Sequence, residues 1–192
     1  MKIYTKKYLF ISMIAFAVLA VGCNKTTENI NQSSKDQIVS IQSSADISNW
    51  QTYANAKYLY TIKYSSELKI LATGIGMGVD GPITPISDQI VIRNSDNNFD
   101  ILGVGTQAQS GESKTVLSEE YIASRYPVDS RDQFSFKKVK IGSLEGYRLD
   151  LGDVNKDYYH YYFQTPTGDI IMVTVRKDNN TANDILSTLK FK

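Results

Sequence analysis

From Trp50 to Lys192, short segments alternate aromatic or β-branched residues with polar ones. A period of two is the pattern of a β-strand that buries one face. The clearest segment runs from Tyr58 to Tyr64, and we expect the face that carries its tyrosines and Ile62 to lie in the core. Further strands are predicted at 68–72, 89–93, 99–104, 133–141, 144–151, 158–164 and 169–177. The sequence therefore predicts one domain built mainly on a β-sheet.

Short turn sequences separate the last four of these segments. Gly142-Ser143 and the stretch from Thr165 to Gly168 supply the residues that tight turns prefer. We therefore expect the last four strands to form an antiparallel meander.

The strand predicted at 133–141 changes its apolar parity at Lys137-Lys138. Phe136 lies at an even position, whereas Val139 and Ile141 lie at odd positions. An extra residue in one strand would produce such a change, so a β-bulge or kink is predicted at the two lysines.

Ser118 precedes a segment with helical character, Glu119 to Tyr126. A serine caps the free N–H groups of a first helical turn, and acidic residues suit the positive end of the helix dipole. Leu117 is placed to meet Ile122 as a hydrophobic staple, and Pro127 ends the helix.

A second helix is predicted from Ala182 to Leu189, with Thr181 or Asn180 as its cap and Asp184 in its first turn. Its apolar face carries Ile185, Leu186 and Leu189. Both helices are short and one-sided, so each should cover a sheet face. The expected fold class is α+β, with a mostly antiparallel sheet covered by a few helices.

The N-terminal segment has the layout of a secretory signal. Lys2, Lys6 and Lys7 precede an apolar stretch from Leu9 to Val21, and the single cysteine, Cys23, follows Gly22. This ending resembles the lipobox of bacterial lipoproteins. The resemblance implies cleavage after Gly22 and a Cys23 that carries diacylglyceryl and acyl chains such as palmitate. It also implies a cell-membrane or outer-membrane protein that faces away from the cytoplasm.

A membrane-spanning helix is the alternative for the apolar stretch. At about 1.5 Å per residue, a helix from Leu9 to Val21 covers about 20 Å of a hydrocarbon core about 30 Å thick. The length therefore favours a signal peptide at residues 1–22 over a span.

Residues 23–48 have the polar composition of a flexible tether between the lipid and a domain at 49–192. The cluster Ile38-Val39-Ser40-Ile41 leaves open a second interpretation, in which it docks as a short strand or contacts a partner.

Cysteine usage argues against a disulfide, and the charge balance argues against a nucleic-acid partner. With Cys23 used for lipid, no thiol remains for a disulfide, so the core alone must hold the domain together. The chain carries 21 basic and 20 acidic residues, whereas nucleic-acid binding usually needs a clearly basic face. We therefore expect no nucleic-acid partner.

Several segments resemble PsbP-like domains. They are Trp50 followed by Tyr58 to Tyr64, the stretch from Ile141 to Arg148, the turn at Gly168, the strand from Ile170 to Val175, and the final stretch from Ile185 to Phe191. The resemblance covers about residues 50 to 192. It implies an α/β/α sandwich around an antiparallel sheet and an accessory role rather than catalysis, and it assigns no binding residue.

The glycines Gly76, Gly78 and Gly81 match the spacing of a dinucleotide-binding loop. That mechanism needs a helix to begin directly after the loop, and Pro82 and Pro85 prevent one. We therefore predict a loop and no nucleotide cofactor.

Asp153, Asn155 and Asp157 alternate like the first ligands of a calcium loop, with Asp150 nearby. Tyr158 stands where that motif needs glycine, so the pattern favours a solvated turn and leaves a weak calcium site as the alternative.

His160, the only histidine, lies in an aromatic strand from Tyr158 to Phe163. A single histidine without a nearby nucleophile motif favours a structural role. The alternative is that one aromatic face is exposed and binds a protein or a glycan.

No catalytic residue and no metal ligand is assigned. We expect a non-enzymatic accessory or protein-binding domain, anchored to the membrane, with an envelope protein as its partner. The alternatives are an envelope hydrolase with a carboxylate site, and a carrier of a weakly bound metal or small ligand.

Overall fold

The computed structural model describes residues 38–73, 80–81, 88–96, 100–106 and 116–192, with the backbone alone at 80–81. The predicted signal peptide at 1–22, Cys23, the predicted tether up to residue 37, and Gly76 and Gly78 of the predicted loop lie outside the described residues. The described residues belong to one compact unit, Ser33–Lys192.

Within the described ranges, nine strands form one sheet: β1 Val39–Ser40, β4 Leu68–Thr73, β5 Asp80–Gly81, β6 Gln89–Asn94, β7 Asp100–Thr106, β8 Ser135–Ile141, β9 Leu144–Asp150, β10 Tyr158–Gln164 and β11 Ile170–Arg176. Their order across the sheet is β1-β8-β9-β10-β11-β7-β6-β4-β5. All neighbours pair antiparallel except β1, which runs parallel to β8.

A second sheet of the described part has the order β12-β3-β2, with β2 Gln51–Asn55, β3 Tyr60–Tyr64 and β12 Lys190–Phe191. The α-helices are α1 Glu119–Ser124 and α2 Asn180–Ser187, and two 3-10 turns span Val128–Gln133 and Gly152–Val154. Among the described residues, no helix has the length and apolar character that crossing a bilayer requires. The α+β class with a mostly antiparallel sheet is confirmed.

The large sheet is packed on both faces. On one face, which we call the α2 face, side chains of the large sheet pack against α2 and the small sheet. This core includes Tyr161, Phe163 and Val173 of the large sheet, Tyr60 and Ile62 of the small sheet, and Ile185 of α2. On the opposite face, the α1 face, Ile122 of α1 packs with Leu149, Tyr162 and Ile170. Consecutive strand residues thus enter different cores, because their side chains alternate across the sheet.

Several sequence predictions are confirmed. Strands β8 to β11 form the predicted antiparallel meander, and Gly142 and Gly168 have the positive φ angles of its turns. The apolar face of the segment from Tyr58 to Tyr64 is buried at Tyr58, Tyr60 and Ile62, although the strand itself begins at Tyr60.

The β-bulge predicted at Lys137-Lys138 is wrong. Strand β8 pairs with β9 in unbroken register from Ser135 to Ile141. The parity changes because Phe136 packs on the α1 face, whereas Val139 and Ile141 enter the core of the α2 face. The register shift in this sheet lies instead between Ile92 and Arg93, where β6 meets β7.

Ser118 caps α1 as predicted, because its side chain accepts a hydrogen bond from the Tyr121 N–H at 3.1 Å. For α2, both proposed caps were wrong, since Asn180 and Thr181 lie inside the helix. The cap is Asn179, whose Oδ1 accepts from the Ala182 N–H at 2.9 Å.

Asp184 lies beyond the first turn of α2, contrary to prediction, and is buried at 6% exposure. Its carboxylate accepts hydrogen bonds from the Ser44 N–H at 2.7 Å and the Ser43 hydroxyl at 3.2 Å. Upstream, Val39 pairs with Val139, and the Ile41 N–H donates to the Lys140 carbonyl at 2.9 Å. The second interpretation of the cluster at 38–41 is therefore the one observed: it docks as a short strand. Residues 38–44 pack on the domain.

Candidate functional site

A groove with a volume of about 470 Å³ lies on the α1 face, over strands β6, β7, β10 and β11. We call it the glycine groove, because Gly103 and Gly105 of β7 form its floor. Its other lining residues include Thr73, Gln89, Asp100, Asn155, Tyr158, His160, Met172 and Thr174. The volume lies in the usual range of small-ligand sites, about 300 to 1,000 Å³.

The groove exists because two consecutive inward positions of β7 lack side chains. Gly103 pairs with Thr174 and Gly105 with Met172, so all four positions share one face. A Cβ atom added at Gly103 would lie 3.8 Å from the Ile90 carbonyl oxygen and 4.0 Å from the Thr174 Cβ. These are ordinary van der Waals distances, so a small side chain would fit at Gly103. The depth of the groove therefore comes from the missing side chains.

One side of the groove presents a polar group in a fixed orientation. The Thr73 hydroxyl donates to Gln89 Oε1 at 3.2 Å. The Gln89 Nε2 lies 3.8 Å from the position that a Cβ atom at Gly105 would take. The amide is therefore held above the floor with its nitrogen next to Gly105.

The carboxylate in the groove lining is engaged in an ion pair. The Arg93 guanidinium donates to Asp100 Oδ1 at 2.6 Å, and Arg93 is mostly buried. The Tyr158 hydroxyl donates to the Asp100 carbonyl oxygen at 3.4 Å. Asp100 thus fixes this end of the groove, and its charge is compensated.

His160 lies at the junction of the groove and the core. Its Nδ1 is hydrogen-bonded to the Tyr126 hydroxyl at 2.9 Å, and Tyr126 is in turn bonded to the Tyr162 hydroxyl at 2.5 Å. Its Nε2 faces the Asn155 Nδ2 at 3.4 Å. An amide nitrogen only donates, so Nε2 accepts and Nδ1 carries the proton, which is the state of a neutral imidazole.

Burial lowers the pKa of His160, and the positive charge of Lys177 lowers it further. Lys177 donates to Asp150 Oδ1 at 2.7 Å, and its Nζ lies 4.8 Å from the centre of the Tyr159 ring. Arg148 lies over the same ring at 4.4 Å. Burial alone would raise the pKa of Asp150, but the hydrogen bonds from Lys177 and the Gly152 N–H outweigh it and hold that pKa below its ordinary value.

His160 should therefore titrate below its ordinary pKa of 6.5, and Lys177→Met should raise that pKa without restoring 6.5. The burial of the imidazole remains in the variant, whereas the neighbouring cation is removed. Because His160 is the only histidine, one-dimensional proton NMR of the untagged protein follows its ring directly. Lys156→Met is the matched control, since Lys156 is exposed and pairs with Asp153. A wild-type pKa at or above 6.5 would contradict this environment.

The same shift fixes the sign of a pH effect on stability. Below pH 6.5 the unfolded chain binds a proton at His160 that the folded protein resists. The free energy of unfolding should thus decrease as the pH falls through 6.5 towards the folded-state pKa. In urea titrations, His160→Gln should show a smaller decrease than the wild type between pH 7 and pH 5.

The structure separates the residues of the proposed calcium loop. Asp153 pairs with Lys156 at 3.0 Å, Asp150 with Lys177, and Asn155 lies beside His160. Within the described part of the chain, no group of three or more His, Cys, Asp or Glu side chains suits a metal ion. The arrangement favours the turn interpretation.

The aromatic strand β10 divides as its alternation predicts. Tyr161 and Phe163 are buried on the α2 face, whereas Tyr158, His160 and Tyr162 point to the α1 face. Tyr162 is buried, and Tyr158 and His160 are partly exposed in the groove. The exposed aromatic surface is thus limited to one end of the strand.

The groove itself was not predicted from the sequence. Its signal was Gly103-Val104-Gly105 at the end of the strand predicted at 99–104, since glycine in a strand marks a missing side chain on one face. The residues that complete the site come from five strands and a turn, and their proximity is not local in sequence.

No protein-family model matches the chain, and no curated protein matches it. Among solved structures, it is similar to the solution structure of cyanobacterial PsbP (CyanoP) from Synechocystis sp. PCC 6803. The two chains are 14% identical, the match covers 78% of this chain and 96% of that one, and the TM-score is 0.47.

Proposed function

We propose that this protein is a bacterial envelope lipoprotein, anchored through Cys23, whose domain is a non-enzymatic accessory module. The domain binds a component of the envelope in the glycine groove. The observation that carries the proposal is the groove itself, a site of about 470 Å³ with a floor of two glycines and fixed polar walls.

Pre-formed walls support a binding role. Gln89 is held by Thr73, Asp100 by Arg93, and His160 by Tyr126 and Asn155. Side chains that are already ordered lose little conformational freedom when a ligand binds, which favours affinity.

The titratable groups of the groove are engaged in structural contacts, which favours binding over acid–base catalysis. The Asp100 carboxylate is ion-paired to Arg93. His160 is bonded at both ring nitrogens, and burial lowers its pKa. A general base needs a free lone pair directed at the substrate, whereas both ring nitrogens of His160 are used in hydrogen bonds.

The sequence around Cys23 supports the anchor. The lipid would place the groove at the outer side of a membrane, where its partner is an envelope component and not a nucleic acid. We propose an envelope protein, or a polymer carried by one, as this partner.

Chemical crosslinking in intact cells, followed by mass spectrometry, tests the proposal. The wild type should give one dominant crosslinked partner, and Cys23→Ala, which removes the anchor, should lose it. Gly103→Leu, which fills the groove, should lose it as well while staying in the membrane. A diffuse background shared by all three proteins would contradict the proposed function.

A further inference from the structure

We propose that the glycine groove binds a neutral saccharide chain, an inference that rests on the proposed function and names the chemistry of its partner. The sugar is carried either by an envelope polysaccharide or by a glycosylated envelope protein. The charge of the groove, its donors and acceptors, and the position of its floor in the sheet all favour such a ligand.

The groove suits an uncharged ligand. The charged side chain in its lining, Asp100, is neutralised by Arg93 at 2.6 Å. Burial and then the positive charge of Lys177 lower the pKa of His160, which favours its neutral form, and both ring nitrogens are used in hydrogen bonds. A phosphate or a nucleic acid requires uncompensated cations, which this lining does not supply among the described residues.

The lining matches the chemistry of sugar hydroxyl groups. Gln89, Asn155 and Thr174 offer amide and hydroxyl groups that donate and accept, as a hydroxyl-rich ligand requires. Tyr158 and His160 add aromatic rings to this lining, with His160 beside Asn155 and opposite Thr174, and the apolar C–H face of a pyranose packs on such rings. The glycine floor leaves room for a ring to approach the sheet closely.

The sheet position argues against an extended peptide as the ligand. Peptides usually bind sheets by adding a strand at an open edge, where main-chain groups are free. The floor strand β7 is paired on both sides, with β11 and with β6. Its backbone groups are therefore used inside the sheet, and recognition must come from side chains.

The test is isothermal titration calorimetry on the full-length lipidated protein in lipid nanodiscs. The probes are the neutral hexasaccharides of β-1,4-glucose, β-1,4-N-acetylglucosamine and α-1,4-glucose, with dextran sulfate and an uncharged hexapeptide as comparison probes. We expect the wild type to bind at least one neutral hexasaccharide and neither comparison probe.

Three variants locate the binding. Gly103→Leu should lose hexasaccharide binding, because its side chain occupies the groove. The matched control, Gln51→Leu, places the same side chain at an exposed position of β2 in the other sheet and should bind like the wild type. If the melting temperature of Gly103→Leu is well below that of the wild type, Gln89→Ala is used instead. This variant removes a polar wall without adding volume and should weaken binding about tenfold.

The outcomes separate the two proposals. Absence of binding to every neutral hexasaccharide, binding to the peptide alone, or equal binding by the wild type and the groove variants would overturn the saccharide inference. If Gly103→Leu also loses its crosslinked partner in cells, the proposed function stands without the saccharide. When the saccharide binds, protease treatment of the crosslinked adduct distinguishes a glycoprotein, which is digested, from a polysaccharide, which is not.

Discussion

Gly146→Ala should destabilise the domain by about 3 kcal/mol, the upper range for overpacking a core. Gly146 of β9 pairs with Phe163 of β10. A Cβ atom at this position would collide with the Tyr162 carbonyl oxygen and would lie 2.6 Å from the Phe163 Cδ1. The first of these is backbone in the middle of the large sheet, so relief requires that two central strands separate. Urea unfolding of both proteins measures the difference.

Gly103→Ala is the matched control, because it makes the same change in another central strand. Its added methyl group meets ordinary contact distances, 3.8 Å to the Ile90 carbonyl oxygen. We expect its stability to stay within about 1 kcal/mol of the wild type, since a tolerated Gly→Ala change chiefly restricts the unfolded chain. Equal losses in the two variants would contradict the described packing.

Cys23→Ala should move the protein out of the membrane fraction. In the proposed function, the acyl chains on Cys23 supply nearly all of the membrane affinity. Each buried methylene contributes about 0.8 kcal/mol, so two or three acyl chains anchor the protein durably. Without acyl chains the protein has no comparable attachment to the membrane. Fractionation followed by mass measurement of the intact protein tests this.

Two controls accompany that experiment. Cys23→Ser, the closest replacement without a thiol, should behave like Cys23→Ala. Gly103→Leu keeps the cysteine and should remain in the membrane. A Cys23→Ala protein that stays there with the processed mass of the wild type would refute the anchor.

A strand was predictable from the sequence where all the apolar residues of one strand face enter the same core. Strand β10 has the bounds that its alternation predicts, because Tyr161 and Phe163 enter one core while Tyr158 and His160 face the other side. The N-cap at Ser118 was also readable, because capping is a local interaction within one turn.

The remaining errors have non-local causes. The parity change at Lys137-Lys138 looked like a bulge, yet it reflects two cores on opposite faces of β8. Strand β2 was not predicted, since its residues Gln51, Thr52 and Ala54 are exposed and only Tyr53 and Asn55 are buried. Docking of residues 38–44 depends on Asp184, which is far away in the sequence.

The glycine groove was also missed because its cause is non-local. Gly103 and Gly105 were visible in the sequence, but a missing side chain becomes a site only when strands β6, β10 and β11 surround it. Periodicity describes one strand at a time, whereas the groove depends on the order of strands in the sheet.

A photo-crosslinking residue beside the glycine groove tests whether this groove is the surface that binds the envelope partner. Benzoylphenylalanine replaces Lys156, an exposed residue next to Asn155 of the groove lining, in one strain and Gln51 of the small sheet in another, both with Cys23 intact. After irradiation of intact cells, we expect a discrete adduct from position 156 and none from position 51. The same adducts from both positions, or none from position 156, would contradict the proposed binding surface.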